Sequence, residues 1–136
     1  MEERIIALLK PTQMVHLATC ESGQPRLRPM TMIYLDGSFY FATGAADSKC
    51  AQIAANHRAE FCLLLKKETN SGYLRGSGML RQVDDLGLRK EVADFAPFLL
   101  DYWQGPADPA FRLFVMDLKQ LRYMKPGDDY EVVTDH

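Results

Sequence analysis

The chain has 136 residues, 47% of them hydrophobic and 25% charged, which suits a single globular domain spanning 1–136 with a full core. A net charge of −2 supplies no field that would draw nucleic acid or anionic lipid. Apolar runs such as Phe61–Leu65 are far too short to span a membrane, and the acids of MEERIIALLK do not fit a secretory signal, so a cytoplasmic protein is expected.

In chain order, Ile5, Ile6, Leu8 and Leu9 predict a short amphipathic helix that ends at Lys10–Pro11. Met14–Cys20 alternates as a strand, and Ser22–Gly23 turns the chain into a second strand, Arg26–Leu35. Asp36–Gly37, set between two apolar runs, is a strong hairpin signal and leads into the aromatic strand Ser38–Thr43. Gly44, Ala45 and Ala46 make a turn, and Asp47 or Ser48 is the expected N-cap of a helix carrying Lys49, Gln52, Ile53 and Asn56. Glu60–Lys66 reads as a buried strand, Lys67–Gly72 as a polar hairpin loop, and Tyr73–Val83 as the returning strand. Gly76 and Gly78 interrupt that last strand and predict a bulge or the close approach of another backbone.

Beyond Leu86 the apolar period becomes helical. Leu88, Val92, Phe95, Ala96, Leu99 and Trp103 form one face, which Pro97 should split into two short helices. Pro106 and Pro109 mark a loop. Phe111–Lys125 is the last long strand, interrupted near Asp117–Lys119, and Tyr130–Thr134 is a weak edge strand or tail. Strands joined mostly by short turns, with few helices, predict a mainly β protein, a closed or nearly closed antiparallel barrel of six or seven strands. The interior of so small a barrel is filled by side chains, so a large planar ligand has to lie outside it in a cleft.

Cys20, Cys50 and Cys62 are odd in number and contain no CxxC pair, and His16, His57 and His136 are scattered. Neither a disulfide framework nor a metal site is expected. Cys50 beside Lys49 could have a lowered thiol pKa, but a small buried hydrophobe is the plainer role.

The corner between the aromatic strand and its helix has a second reading. Thr43, Ser48, Lys49 and the unpaired amides at the helix start would converge on one point, where the helix dipole favours an anion. An ordinary capped corner explains the same residues. Arg28, on the neighbouring strand, adds a planar fork of donors opposite the far end of that strand or beyond it. The combination suits a phosphorylated, planar ligand, whereas Arg28 alone would pass for a solvated surface cation.

Three stretches in order, MVHLATCESGQPRLRPM, GSFYFATGAADSKCAQIAANHRAEFCLLL and GYLRGSGMLRQV, resemble the pyridoxamine 5'-phosphate oxidase-like flavin-binding split barrels, above all their short general-stress-protein type. The resemblance covers roughly residues 5–125. It implies a dimeric split barrel with FMN bound between two barrels. Arg28, Ser48 and Lys49 would hold the phosphate, the backbone of Arg28, Pro29, Met30 and Thr31 would face the isoalloxazine edge, and Thr43 would touch the cofactor.

The oxidases themselves carry a lysine shortly after the strand arginine and an Arg-Lys pair at the helix start. This chain has Ile33, Tyr34 and Leu35, and Ser48–Lys49, at those places, and it lacks the long C-terminal segment that completes the oxidase substrate site. The resemblance therefore implies an FMN-dependent oxidoreductase fed by a nicotinamide or another small-molecule donor, rather than a vitamin B6 oxidase. The alternatives are a flavin carrier or sensor without turnover, and a split barrel using haem, deazaflavin or no cofactor. Tyr73 and Tyr123 could approach the cofactor, although core or surface roles explain both. The exposed-looking apolar residues Phe98, Tyr102 and Trp103 suit a covering partner.

Overall fold

The computed structural model describes residues 2–44 and 48–136, with the main chain alone for Ser48, Lys49 and Ala55. The expected turn at Ala45–Ala46 and the expected cap at Asp47 lie outside the described residues. Along the chain come α1 (Glu3–Ile6), β1 (Thr12–Glu21), β2 (Gln24–Leu35), β3 (Ser38–Gly44) and α2 (Ser48–Ala55). They are followed by β4 (Arg58–Lys67), β5 (Asn70–Gln82), α3 (Leu86–Phe95), a 3₁₀ turn (Pro97–Asp101), β6 (Phe111–Met124) and β7 (Val132–Asp135).

Both short hairpins are built as their sequences require. Ser22 and Gly23 take φ of 50° and 80°, and Asp36 and Gly37 take 49° and 79°. Positive φ at both central residues gives the turn whose twist matches that of the flanking strands. The third hairpin is tighter than expected: β5 already starts at Asn70, so the loop shrinks to Glu68–Thr69, with Glu68 at φ 58°. Helix α1 stops at Ile6, and the expected extension survives only as turn bonds from the Leu8 and Leu9 amides to the Ile5 and Ile6 carbonyls.

Among the described residues, all strand pairings are antiparallel, in the order β3-β2-β1-β4-β5-β6-β7, with a further pairing of β3 with β6. That last pairing closes six strands into a ring. One edge of β6 is divided, its first half (Phe111–Val115) taken by β3 and its later part (Gln120–Tyr123) by β7. The result is the mainly β, nearly closed antiparallel barrel that the pattern of short strands predicts, in the split form that the family resemblance implies.

Alternation along each strand gives the ring two apolar faces. Val15, Leu17, Met32, Phe39, Phe41, Phe61, Leu74 and Leu121 fill the inside, and the Phe39 and Phe61 rings lie 5.0 Å apart. Outside, Ile33, Tyr40, Leu113 and Val115 are covered by Val92, Ala93, Ala96 and Leu99 of α3 and the 3₁₀ turn. Asp85 starts α3 by accepting the Leu88 amide at 3.0 Å, and Pro97 ends it. The barrel is packed solid, which sends any sizeable ligand outside.

The glycines of β5 mark where the ring bends. The β5–β6 register shifts between Ser77 and Gly78, leaving Lys119 as the extra residue of β6, and β6 continues through this bulge where an interruption was expected. A Cβ on Gly78 would sit 2.1 Å from the Asp117 carbonyl oxygen, a main-chain atom that cannot move aside. Gly78→Ala is expected to destabilise the fold by about 2–4 kcal/mol. A control change, Gly105→Ala, where nothing lies within 4 Å of the added carbon, should cost under about 1 kcal/mol. Denaturant melts of both variants check the difference.

Candidate functional site

β3 pairs with β2 on one edge and with β6 on the other, over stretches that overlap only at Tyr40 and Phe41. Its pairing with β2 ends at Met32↔Phe41, and from Tyr40 onward it pairs with β6 out to Gly44↔Phe111. Upstream of Met32, β2 pairs with β1 alone among the described residues, so its edge from Gln24 to Thr31 has no described strand neighbour on the β3 side. An open edge presents backbone donors and acceptors to whatever lies against it. Arg28, Pro29, Met30 and Thr31 occupy the part of this edge nearest the fork. Arg28 thus lies beyond the end of its hairpin pairing, the second of the two placements the sequence allowed.

The side chains there divide by parity. Arg28, opposite Leu17 on β1, shares the inner face with Met30 and Met32, while Pro29, opposite His16, and Thr31 face outward. Thr43, in step with Phe39 and Phe41, points inward and is buried at 4% exposure, opposite Arg112. Met30 belongs to the inner core. Ser48 and Lys49 form the start of α2, and their side chains lie outside the described residues.

Helix α2 packs over β1 and β3 at this end of the barrel. Arg28 reaches beneath it and donates through Nη1 to the Thr19 hydroxyl at 2.8 Å and the Leu17 carbonyl at 3.3 Å, and through Nη2 to Gln52 Oε1 at 2.6 Å. Thr19 in turn donates to Gln52 Oε1 at 2.8 Å. Three elements, β1, β2 and α2, are tied together by this one guanidinium. Thr19 and Gln52 were not singled out as site residues from sequence. The available signal was Thr19 continuing the inward register of Val15 and Leu17, a polar residue in an apolar series.

On the outer side of the fork lies a cleft of about 320 Å³ lined by Thr31, Ala42, Gly44, Phe98, Leu99, Tyr102 and Trp103. Its size falls at the low end of small-molecule pockets, ~300–1,000 Å³. The Trp103 ring packs 5.0 Å from Phe111, and Tyr102, 5.7 Å from Trp103, stays 73% exposed at the rim. The segment expected to be covered by a partner therefore forms a wall, half seated on the barrel and half open.

Buried Arg89 anchors that wall. It donates to the Pro106 and Phe111 carbonyls, both at 2.7 Å, and to those of Val83 at 3.3 Å and Asp108 at 3.4 Å. Its guanidinium also lies 4.5 Å from the Phe111 ring centre, and burial pulls its pKa below the ordinary arginine value. The Asp108 carboxylate accepts the Ala110 and Gln104 amides, which hold it below the usual carboxylate range.

Other candidates fall elsewhere. Tyr73 donates to Glu131, which Arg122 also binds at 2.8 Å, and Tyr123 is buried in the core. Cys50 packs against the inner core with its thiol 3.3 Å from the Gly44 carbonyl, and burial pushes the Cys62 thiol up. A larger cavity of about 580 Å³ lies among Tyr34, Gly37, Met116, Lys119 and His136 at the other end of the β2–β3 hairpin, and it gathers none of the predicted site residues. Among the described residues no cluster of metal-ligating side chains occurs, and no helix is long and apolar enough to cross a membrane.

The chain belongs to the pyridoxamine 5'-phosphate oxidase family, whose N-terminal domain model matches residues 1–125. No curated protein matches it. Among solved structures it is similar to general stress protein 26 of Bacillus anthracis, with 19% identity and a TM-score of 0.78 over 98% of this chain and 97% of that one. A haem-binding protein of Mycobacterium smegmatis is similar at 19% identity and a TM-score of 0.78, covering 97% of this chain and 55% of that one. An FAD-binding protein of Mesorhizobium loti shares 21% identity with a TM-score of 0.64, over 79% of this chain and 80% of that one. At such identities these likenesses establish the fold.

Removing the clamp on the cleft wall is expected to loosen it selectively. Arg89→Met should cost about 2–4 kcal/mol, because buried carbonyls lose their donors. Hydrogen exchange should accelerate in 86–111 well before β1, β4 and β5. Uniform acceleration across the barrel would show that Arg89 supports the whole fold and not this wall.

Proposed function

We propose that this chain is a single-domain FMN-binding protein, cytoplasmic and homodimeric, that acts as a flavin-dependent oxidoreductase with a nicotinamide or another small donor. The observation that carries this reading is the open edge of β2, with an ordered guanidinium at one end and an aromatic-walled cleft beside the other. Arg28, Ser48 and Lys49 would hold the phosphate. The main chain of Pro29, Met30 and Thr31 would lie along the ring edge, where backbone donors and acceptors match a heteroaromatic rim. Thr43 would contact the cofactor from the end of β3.

The donor set fits the group. A phosphate calls for charge-assisted donors, and a flavin ring for a flat edge and apolar cover. Haem iron needs an axial ligand, and of the residues lining the cleft only Tyr102 has a side chain of a type that holds haem iron. FMN when bound supplies the electron-accepting chemistry, while this chain's residues bind, orient and screen it. A second copy has a natural seat: Met14, Leu27 and Leu64, exposed at 60%, 70% and 58%, face outward on adjacent strands β1, β2 and β4 beside the open edge.

Titration of purified protein with FMN and riboflavin tests the reading. FMN should bind and turn the protein yellow, and Arg28→Ala should weaken FMN by roughly one to two decades, with little change for riboflavin. Failure to take up FMN, or equal losses for both flavins, would overturn it. Anaerobic mixing then separates an enzyme from a carrier. NADH or NADPH should bleach the flavin band, pyridoxine phosphate should not, and a band that no donor bleaches would identify a carrier or sensor.

A further inference from the structure

Gln52 and Thr19 are among the few buried polar side chains of the described residues, at 7% and 3% exposure, and both are spent on Arg28. Gln52 Oε1 accepts two hydrogen bonds, from Arg28 Nη2 at 2.6 Å and from the Thr19 hydroxyl at 2.8 Å, which uses both of its lone pairs. The Thr19 hydroxyl closes the triangle by accepting from Arg28 Nη1 at 2.8 Å. The hydroxyl proton therefore points to Gln52, and the guanidinium plane is fixed from two sides. Gln52 stands one helical turn after Ser48, so the same side chain couples the orientation of Arg28 to the first turn of α2.

We propose that Gln52, seconded by Thr19, is the positioning residue that presents Arg28 to a phosphate at the mouth of α2 and so makes the site favour phosphorylated over unphosphorylated flavin. This rests on the flavin reading above and adds the origin of its phosphate selectivity. An amide is the group the task requires, because it orients the guanidinium without adding charge. A carboxylate at the same place would put a full negative charge 2.6 Å from Arg28 and repel the incoming phosphate.

The test compares Gln52→Glu, Gln52→Leu, Thr19→Val and Thr19→Ser by the ratio of riboflavin to FMN dissociation constants. Thermal melts confirm that each variant is folded. Gln52→Glu keeps the side chain's size and its tie to Arg28, yet should lower the ratio by roughly tenfold to a hundredfold with riboflavin unchanged. Thr19→Val should lower it less, and Thr19→Ser should restore it. Equal losses for both flavins, or an unchanged ratio in the two Gln52 variants, would reduce the triangle to a packing element and overturn the proposal.

Nitrogen-edited NMR of the flavin-free protein gives an independent reading. The Arg28 η protons should show hindered rotation in the wild type and free rotation in Gln52→Leu. A wild type that binds neither flavin but keeps this Gln52-dependent rigidity would sink the flavin reading and leave the positioning role standing. Free rotation in the wild type would sink the positioning role even if FMN binds.

Discussion

A β-strand has only two edges, and the structure turns on how β3 spends its own. One edge pairs with β2 as far as Met32↔Phe41, and the other pairs with β6 from Tyr40↔Val115 to Gly44↔Phe111. The β6 pairing closes the ring and sets opposing strands around the inward Phe39 and Phe41. β2, with 12 residues against 7 in β3, runs on past the last pair, and among the described residues its stretch from Gln24 to Thr31 has no strand on that side. The closed core and the open edge thus meet at one fork, where β3 parts from β2 while β6 still holds it.

What lies at the fork follows from that geometry. At the end of a closed barrel the inward positions no longer meet enough apolar partners, so polar residues become tolerable there if they satisfy one another. Arg28, Thr19 and Gln52 do so on one side of β2 under α2. On the other side, Thr31 and Ala42 stand one step past the covered residues Ile33 and Tyr40, where the 3₁₀ turn no longer seals the sheet. A charged end and an apolar end therefore occur within four residues of one strand. That asymmetry matches a ligand with an anionic tail and a flat ring better than it matches an ion or a hydrocarbon alone.

Much of this was legible in the residues. Asp36–Gly37 and Ser22–Gly23 announced two hairpins, Gly76 and Gly78 the bend, and Pro97 the break after α3, because each is a local steric demand that tertiary packing does not override. A closed or nearly closed barrel was expected, but which strands close it was not readable, since nothing local to β3 or β6 says that Phe41 will face Phe114. The partners of Arg28 were hidden for the same reason. They lie 9 and 24 residues away on two other elements, and only the register Leu17↔Arg28 with the seating of α2 brings them together. Arg89 shows the limit from the other side: on a helix it reads as one more surface cation, and its burial depends on a loop whose carbonyls have no sequence signature.

The filled interior also constrains where any chemistry can take place. With Phe39, Phe41 and Phe61 in contact at its centre, the barrel is a wedge that holds an edge in place, not a container. A ring laid along that edge would have this chain on one side only. Shielding its other face from water requires a second surface, and the exposed Met14, Leu27 and Leu64 beside the edge are the side chains that gain most from being covered by one. Cofactor cover and subunit association would then be the same burial event. In such an arrangement any residues that choose an electron donor would belong to the rim where two chains meet, and family membership fixes the scaffold more firmly than it fixes the substrate.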